Sequence, residues 1–175
     1  MRIHYSAEKN VQILIALLKA HKIRKVIASP GSTNICFVAS VQNDPFFEIY
    51  SCVDERSAAY MACGIAAESG EPVVLSCTGA TASRNYIPGL TEAFYRKLSV
   101  IAVTSTRSVA EIGQNIPQVM DRTNPLNDIA KISVYLPDLN EQIMSNYNRP
   151  GMLIIPGGGY HFVSGRESEP IAMKY

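Results

Sequence analysis

The sequence has no excess of charge of either sign, and this excludes several classes of protein. Sixteen lysines and arginines stand against 15 aspartates and glutamates, so the net charge is +1. A domain that binds nucleic acid mainly through its charge would show a much stronger imbalance. Charged residues make up 18% and hydrophobic residues 47% of the 175 residues, which is typical of one folded globular domain.

Cysteine and histidine are scarce, and their spacing does not suggest a metal site. The chain contains Cys36, Cys52, Cys63 and Cys77, and His4, His21 and His161. No two cysteines form a CxxC pair, and the histidines lack the spacing of metal ligands. We therefore expect free, buried thiols, no disulfide framework, and no metal site built by this chain alone.

Long apolar runs are also missing. The most apolar stretch, residues 11–18, is much shorter than a membrane span, and the first residues lack the apolar core of a signal peptide. These absences predict a cytoplasmic protein that binds neither membrane nor nucleic acid. The sequence has no GxxxxGK[ST], GxGxxG or GxSxG motif, which argues against a P-loop, a dinucleotide fold and a hydrolase nucleophile.

Strand-like and helical segments alternate along the chain. Strands are predicted over 25–29, 47–53, 72–78, 98–105, 131–136 and 151–156, and helices over 7–21, 33–42, 55–69, 83–97 and 138–147. This alternation predicts an α/β fold with three layers: a doubly wound, mainly parallel sheet with helices on both faces.

Four residues mark helix ends or breaks in this pattern. Ser6 and Asp54 are predicted N-caps of the first and third helices, and Gly70 is a predicted C-cap of the third. Pro88 must kink or delay the helix predicted over 83–97.

The last 27 residues differ in character from the rest. We predict one domain over 1–148 and, over 149–175, a last strand followed by an atypical, flexible tail. The PGGGY segment resembles an esterase oxyanion turn, but no nucleophile follows it. A final strand with a glycine turn and a frayed end is the preferred interpretation.

Polar or glycine-rich turns follow four of the predicted strands. They are Ser29–Ser32, Asp54–Arg56, Thr78–Thr81 and Thr104–Arg107. Strand ends need turns in any protein. In a parallel sheet, however, these ends meet at one edge, where ligands bind, so a shared pocket is expected there. Glu55 stands out because it directly opens a helix; it either stabilises the helix dipole or is a carboxylate tuned for catalysis.

Four segments, each at a strand end, resemble a known family. They are SPGSTN at 29–34, the stretch from 54 to 94, VIAVTSTR at 100–107, and GQNIPQVMDR at 113–122. In this order they are similar to the N-terminal pyrimidine-binding (PYR) domain of thiamine diphosphate-dependent enzymes, and more narrowly to that of the MenD synthases of menaquinone biosynthesis. The resemblance implies the thiamine diphosphate-binding fold, with thiamine diphosphate as cofactor.

The resemblance implies a catalytic role for Glu55. This residue matches the family's glutamate, which hydrogen-bonds a ring nitrogen of the cofactor's aminopyrimidine and so promotes loss of the thiazolium C2 proton. The activated cofactor then attacks a 2-oxo acid and drives decarboxylation. Thr78, Gly79 and Thr81 resemble the family's turn near the pyrimidine ring, although a helix cap after a strand explains the same residues.

Four further positions are assigned to the substrate side of the pocket by the same resemblance. Ser32, Arg107 and Gln118 match polar residues there, and an arginine could grip a carboxylate in bidentate fashion. Arg107 is alternatively a solvated loop residue. Thr33 departs from the MenD pattern, which has an arginine at this position, so a related synthase or decarboxylase is an alternative.

The family's GDG…N motif, which binds the diphosphate and Mg²⁺, is absent from this sequence. We therefore expect the pyrimidine-binding half of a 2-oxo acid decarboxylase or carboligase, inactive without a diphosphate- and Mg²⁺-binding domain. Its expected partners are a second copy, in a homodimer, or a chain that carries that domain. The alternative is a non-catalytic or degenerate module that binds a ligand or partner, or a truncated fragment.

Overall fold

A computed structural model describes residues 4–106, 109–122, 125–136 and 160–164. The helices in this part are α1 (Lys9–Ala20), α2 (Ile35–Gln42), α3 (Glu55–Ser69), α4 (Thr81–Asn85) and α5 (Ile87–Arg96), with a short 3₁₀ helix at Val109–Glu111. The strands are β1 (Lys25–Ala28), β2 (Glu48–Ser51), β3 (Val73–Cys77), β4 (Val100–Ser105), β5 (Ile132–Leu136) and β6 (Tyr160–Ser164).

The strands form one mainly parallel sheet, as the sequence predicts. Their order is β2-β1-β3-β4-β6-β5, and β2, β1, β3 and β4 are parallel to one another. β6 is antiparallel to both β4 and β5. The sequence does not indicate β6, because these five residues follow a glycine-rich segment typical of a turn.

Helices cover both faces of the sheet, so the predicted three-layer architecture is confirmed. The alternation of side chains along each strand divides the core in two. Val74 and Ile101 pack with α1 and α2 on one face. Leu75 and Ala102 pack with α3 and α5 on the other.

The caps of α3 are those that the sequence predicts. The Asp54 carboxylate accepts a hydrogen bond of 2.7 Å from the backbone N–H of Ser57, and Gly70 closes the helix with φ of 68°. A left-handed φ of this kind favours glycine because it has no Cβ.

The prediction that Ser6 caps the first helix is wrong. α1 begins at Lys9, with Glu8 at the N-cap position. The Ser6 hydroxyl instead accepts a hydrogen bond from the Glu8 amide, and the Ser6 amide donates to the Ser40 hydroxyl at 2.8 Å. Ser6 therefore ties the N-terminal segment to α2 rather than starting a helix.

The single helix predicted over 83–97 is divided into α4 and α5. α5 starts at Ile87 with Pro88 in its first turn, where the missing N–H and the fixed φ of proline are tolerated. The proline thus delays the helix rather than kinking it. The helix predicted over 138–147, the strand predicted over 151–156 and the domain boundary at 148 lie outside the described residues.

All four cysteines are free thiols, as expected, but the expectation that they are buried holds for Cys63 and Cys77 and is wrong for Cys36 and Cys52, which are partly exposed. In the part of the chain that the structure describes, no helix combines the length and the apolar character that crossing a membrane requires.

Candidate functional site

The polar turns predicted to share a pocket meet at one edge of the sheet, where β1 and β3 lie side by side. The connection from β1 runs to β2 on one side, whereas that from β3 runs to β4 on the other. This is a topological switch point, at which α/β sheets form ligand crevices. We call it the strand-end edge: 29–34, 52–55, 78–81 and 104–106.

Asn34 organises the turn after β1. Its side chain is fully buried; Oδ1 accepts a hydrogen bond from the Gly31 amide at 2.8 Å, and Nδ2 donates to the Ser29 carbonyl and the Ser76 hydroxyl. Ser29 in turn donates its hydroxyl proton to the Cys52 carbonyl at 2.7 Å. One buried amide therefore connects the ends of β1 and β3, and Ser29 extends the network to the end of β2.

The turns after β1 and β3 are in close contact with each other and with the end of β4. A Cβ on Gly31 would collide with the Thr78 methyl group, and one on Gly79 would stand 2.5 Å from the Ser105 carbonyl oxygen. The hydroxyls of Thr33 and Ser105 are hydrogen-bonded at 2.6 Å. The approach to a backbone oxygen requires glycine at position 79, whereas at position 31 the obstacle is a side-chain methyl group.

Glu55 lies at this edge as the first residue of α3, and its side chain is half-buried. The Asn85 amide of α4 donates a hydrogen bond to Glu55 Oε2 at 3.1 Å. Among the described residues no hydrogen bond reaches Glu55 Oε1. The carboxylate is thus oriented through one oxygen, while the other can accept a hydrogen bond from a ligand.

Two buried groups beside Glu55 are held neutral. Burial raises the pKa of the Cys77 thiol to about 12, and the charge of Glu55 adds to this increase. Burial likewise raises the pKa of the Tyr86 hydroxyl far above its ordinary value, with a contribution from Cys77. Neither group therefore carries a charge at neutral pH.

Arg122 fastens the end of β4 to α4. Its Nη1 donates to the hydroxyls of Ser83, at 2.8 Å, and Thr104, at 3.3 Å, and its Nη2 donates to the Ser105 carbonyl at 2.9 Å. Burial lowers the pKa of this guanidinium, with smaller effects from the neighbouring Cys77 and Arg84. A half-buried cation thus stands behind the strand-end edge.

The structure brings together some of the residues predicted for the site and not others. Thr78, Gly79 and Thr33 make the contacts described above. Ser32 and Thr81 are exposed at the same edge. Gln118 is exposed, with a left-handed φ of 63°, on the segment after β4. Arg107 lies outside the described residues.

Four residues of the site are not among those predicted from the sequence: Asn34, Asn85, Ser105 and Arg122. All four belong to the segments that carry the resemblance, and Asn34 follows directly on Thr33. A polar residue one step beyond a strand-end turn is the signal that could have found Asn34. Nothing in the sequence indicates that Asn85 contacts Glu55. In the part described, no three His, Cys, Asp or Glu side chains cluster as metal ligands.

A family model matches most of the chain. It is described as "Thiamine pyrophosphate enzyme, N-terminal TPP binding domain" and matches residues 9–125. This range contains β1 to β4 and the entire strand-end edge.

Curated relatives share the same type of domain. A 2-succinyl-5-enolpyruvyl-6-hydroxy-3-cyclohexene-1-carboxylate synthase of Phocaeicola vulgatus is 38% identical over 138 residues, which is 79% of this chain and 25% of the relative. The synthase of the same name from Porphyromonas gingivalis is 41% identical over 127 residues, 73% of this chain and 22% of the relative. The chain thus spans about a quarter of the length of these relatives.

Solved structures show the same fold. The thiamine diphosphate-dependent 4-hydroxybenzoylformate decarboxylase of Rhodococcus jostii superposes with a TM-score of 0.62 at 20% identity, over 70% of this chain and 23% of that one. The benzoylformate decarboxylase of Polynucleobacter necessarius gives 0.59 at 18% identity, over 68% and 22%. The chain therefore belongs to the thiamine pyrophosphate enzymes, as an N-terminal TPP-binding domain that is similar to that of the MenD synthases.

Proposed function

We propose that the chain is the pyrimidine-binding half of a thiamine diphosphate-dependent 2-oxo acid decarboxylase or carboligase, a MenD-like synthase. The geometry of Glu55 is the main support for this proposal. It combines a fixed orientation, from the Asn85 hydrogen bond at 3.1 Å, with an Oε1 that accepts no hydrogen bond within the described residues. A carboxylate arranged in this way fits a ring nitrogen of an aminopyrimidine, which it would contact through that oxygen.

Glu55 would hold or exchange one proton at this ring nitrogen. Thiamine diphosphate, when bound, supplies the carbanion chemistry by which such enzymes cleave 2-oxo acids. The neutral Cys77 and Tyr86 below Glu55 cannot compensate its charge, so the carboxylate interacts strongly with a donor placed above it. Thr78, Gly79 and Thr81 would form the turn against the pyrimidine.

The substrate would lie on the side of Ser32, Thr33 and Gln118, with Arg107 as the group that binds its carboxylate. Thr33, which stands where the MenD synthases have an arginine, suggests that the substrate differs from theirs. Its hydroxyl is hydrogen-bonded to the Ser105 hydroxyl at 2.6 Å. A threonine also lacks the positive charge with which the arginine of the MenD synthases would bind an acidic substrate. We therefore propose that one substrate is a 2-oxo acid. The second substrate need not be that of the MenD synthases.

The other half of the site would come from a partner that binds the diphosphate and Mg²⁺. The chain spans about a quarter of the curated relatives' length. Large apolar side chains are exposed beside the strand-end edge: Val53 is 84% and Ile35 60% exposed. Exposed apolar residues around a half-formed pocket favour a covering domain or subunit, including a second copy of the chain.

The test is calorimetry with thiamine diphosphate and Mg²⁺ on this chain, with and without the remaining domains of the Phocaeicola vulgatus synthase as partner. We expect tight binding and decarboxylation of 2-oxo acids only with the partner. Glu55→Gln should abolish turnover and leave the circular dichroism spectrum unchanged. Glu68→Gln, an exposed change at the other end of α3, is the matched control and should retain turnover.

Three other results would contradict parts of the proposed function. Turnover that survives Glu55→Gln would show that this carboxylate is not the pyrimidine contact. Tight binding by the isolated chain would contradict the half-site. Absence of cofactor binding under all conditions would favour a non-catalytic module.

A further inference from the structure

A cavity lies behind the strand-end edge, on the α3 and α5 side of the sheet. It has a volume of about 310 Å³ and is lined by α4, α5, the end of β4, residues 121–122 and residues 125–129. None of Glu55, Thr78, Gly79 or Thr81 lines it. Its volume is at the lower end of the range of about 300–1,000 Å³ in which proteins bind small molecules.

One end of this cavity is positively charged. Arg122 and Arg84 line it, together with the hydroxyl-bearing Ser83 and Thr104, and Asp121 is the single carboxylate among the described lining residues. Arg122 is half-buried, and its partners are two hydroxyls and a carbonyl rather than a carboxylate. A desolvated cation with neutral partners gains free energy when an anion binds nearby.

Arg122 also has donor capacity left. Its Nε–H is buried and meets no acceptor within the described residues. A guanidinium carries five N–H donors, and only the Nη groups are used in the contacts of Arg122. Planar carboxylates are the anions that such a group binds best with two parallel hydrogen bonds.

The other end of the cavity is apolar. Leu90 and Ile129 are buried in its wall, with Ile87 beside them, and Leu126 stands at its mouth with 59% of its surface exposed. Inorganic phosphate or a simple metal ion would leave these side chains uncovered. A ligand with a hydrocarbon body would bury them and gain about 25 cal/mol for each Å² removed from water.

We propose that this cavity binds a small monocarboxylate with an apolar body, an aryl or branched aliphatic acid. The carboxylate is placed against Arg122, Ser83 and Thr104, and the hydrocarbon body contacts Leu90, Leu126 and Ile129. Arg122 also donates a hydrogen bond to the Ser105 carbonyl at the end of β4. The ligand would therefore contact a side chain that holds part of the strand-end edge in place.

Titration of the full chain with benzoate, followed by calorimetry and by methyl NMR of Ile87, Leu90 and Ile129, tests this. We expect binding with a Kd of about 1 mM or tighter, with the largest shifts at these methyl groups and at those of Leu126. Benzamide has the same shape without the charge, and inorganic phosphate has the charge without the apolar body. Both are expected to bind at least about tenfold more weakly.

Two variants locate the site. Arg122→Gln should reduce benzoate affinity about tenfold or more, provided that it folds. Leu126→Glu leaves the interior intact, because this side chain is exposed, and puts a negative charge at the mouth; it should cause a similar loss. Arg96→Gln removes an exposed arginine of α5 outside the cavity and should change nothing.

Absence of benzoate binding overturns the proposal. So does equally tight binding of benzamide or phosphate, or unchanged affinity in Leu126→Glu. The titrations contain no thiamine diphosphate, so their outcome is separate from that of the cofactor experiment.

Discussion

The hydroxyls of Thr33 and Ser105, 72 positions apart in the sequence, are hydrogen-bonded at 2.6 Å across the strand-end edge. Thr33 belongs to the turn after β1, and Ser105 is the last residue of β4. These two strands are not neighbours, since β3 lies between them. The hydrogen bond therefore spans the turn after β3, in which Gly79 comes close to the Ser105 carbonyl.

A double-mutant cycle on this pair should show energetic coupling. We expect Thr33→Val and Ser105→Ala each to lower the free energy of unfolding, and the cycle to give a coupling of about 0.5–1.5 kcal/mol. The measurement is urea denaturation of the single and double variants. Ser32→Ala, at the exposed neighbouring position, is the control and should show no coupling with Ser105→Ala. Additive effects of Thr33→Val and Ser105→Ala would contradict the hydrogen bond.

Much of the fold could be predicted because each element is determined locally. Short apolar runs and helical apolar patterns place β1 to β5 near their observed positions, and Asp54 and Gly70 mark the ends of α3. Ser6 was misassigned because a serine side chain makes the same kind of hydrogen bond in a turn as at a helix cap. β6 could not be predicted, since its position depends on pairing with β4 and β5 over a long sequence separation.

Substitution of two glycines should have effects of opposite sign. In Gly79→Ala the new methyl group meets the backbone carbonyl of Ser105, which cannot rotate away, so we expect a loss of about 1–3 kcal/mol. In Gly64→Ala, on α3, the methyl group meets no atom within 4 Å, and we expect a gain of about 0.5–1 kcal/mol from helix propensity. Urea denaturation of both variants measures the difference. Equal effects would show that the strand-end edge is not packed as described.

The site was less predictable than the fold, for a physical reason. The ends of parallel strands must share an edge, so the candidate turns could be placed there from the sequence. Which side chains touch depends on distances of a few tenths of an ångström. The pairing of Asn85 with Glu55 and of Arg122 with Ser83 arises from α4, which the sequence predicts only as part of one helix over 83–97 that Pro88 kinks or delays.

Stability at acid pH should depend on Asp44. Burial alone would raise the pKa of this carboxyl, but hydrogen bonds from Lys19, Tyr5 and the Phe46 amide outweigh it and hold the pKa below its usual value. A lowered pKa contributes stability above the unfolded-state value of about 3.9, and this contribution is lost as the pH falls through the folded-state value. The wild-type chain should therefore lose stability on acidification below about pH 5.

The variant Asp44→Asn isolates this contribution. We expect it to be less stable than wild type at pH 7, by about 1–3 kcal/mol, because charged hydrogen bonds are lost. Its stability should then fall less steeply between pH 5 and pH 2, so that the two curves converge. Urea unfolding at a series of pH values is the measurement, with Glu68→Gln, which is exposed, as control. Parallel curves would exclude Asp44 as a source of the acid sensitivity.

Ala80 holds a conformation that alanine rarely adopts. It lies in the turn between β3 and α4 with φ of 50° and ψ of −116°, and it is buried. Backbone strain of this kind costs about 1–3 kcal/mol and persists only where the surroundings enforce it. Here Gly79, pressed against Ser105, and the start of α4 at Thr81 leave the residue between them little freedom.

Ala80→Gly should relieve this strain. The gain is opposed by the lost methyl group and by the greater freedom of glycine in the unfolded chain, so we expect stability unchanged or raised by up to about 1 kcal/mol. The matched control is Ala82→Gly, another buried alanine two residues later within α4 and without a positive φ, which should lose about 1 kcal/mol or more. Thermal and urea unfolding compare the two variants directly. A loss in Ala80→Gly as large as that in Ala82→Gly would mean that the turn holds no strain at Ala80.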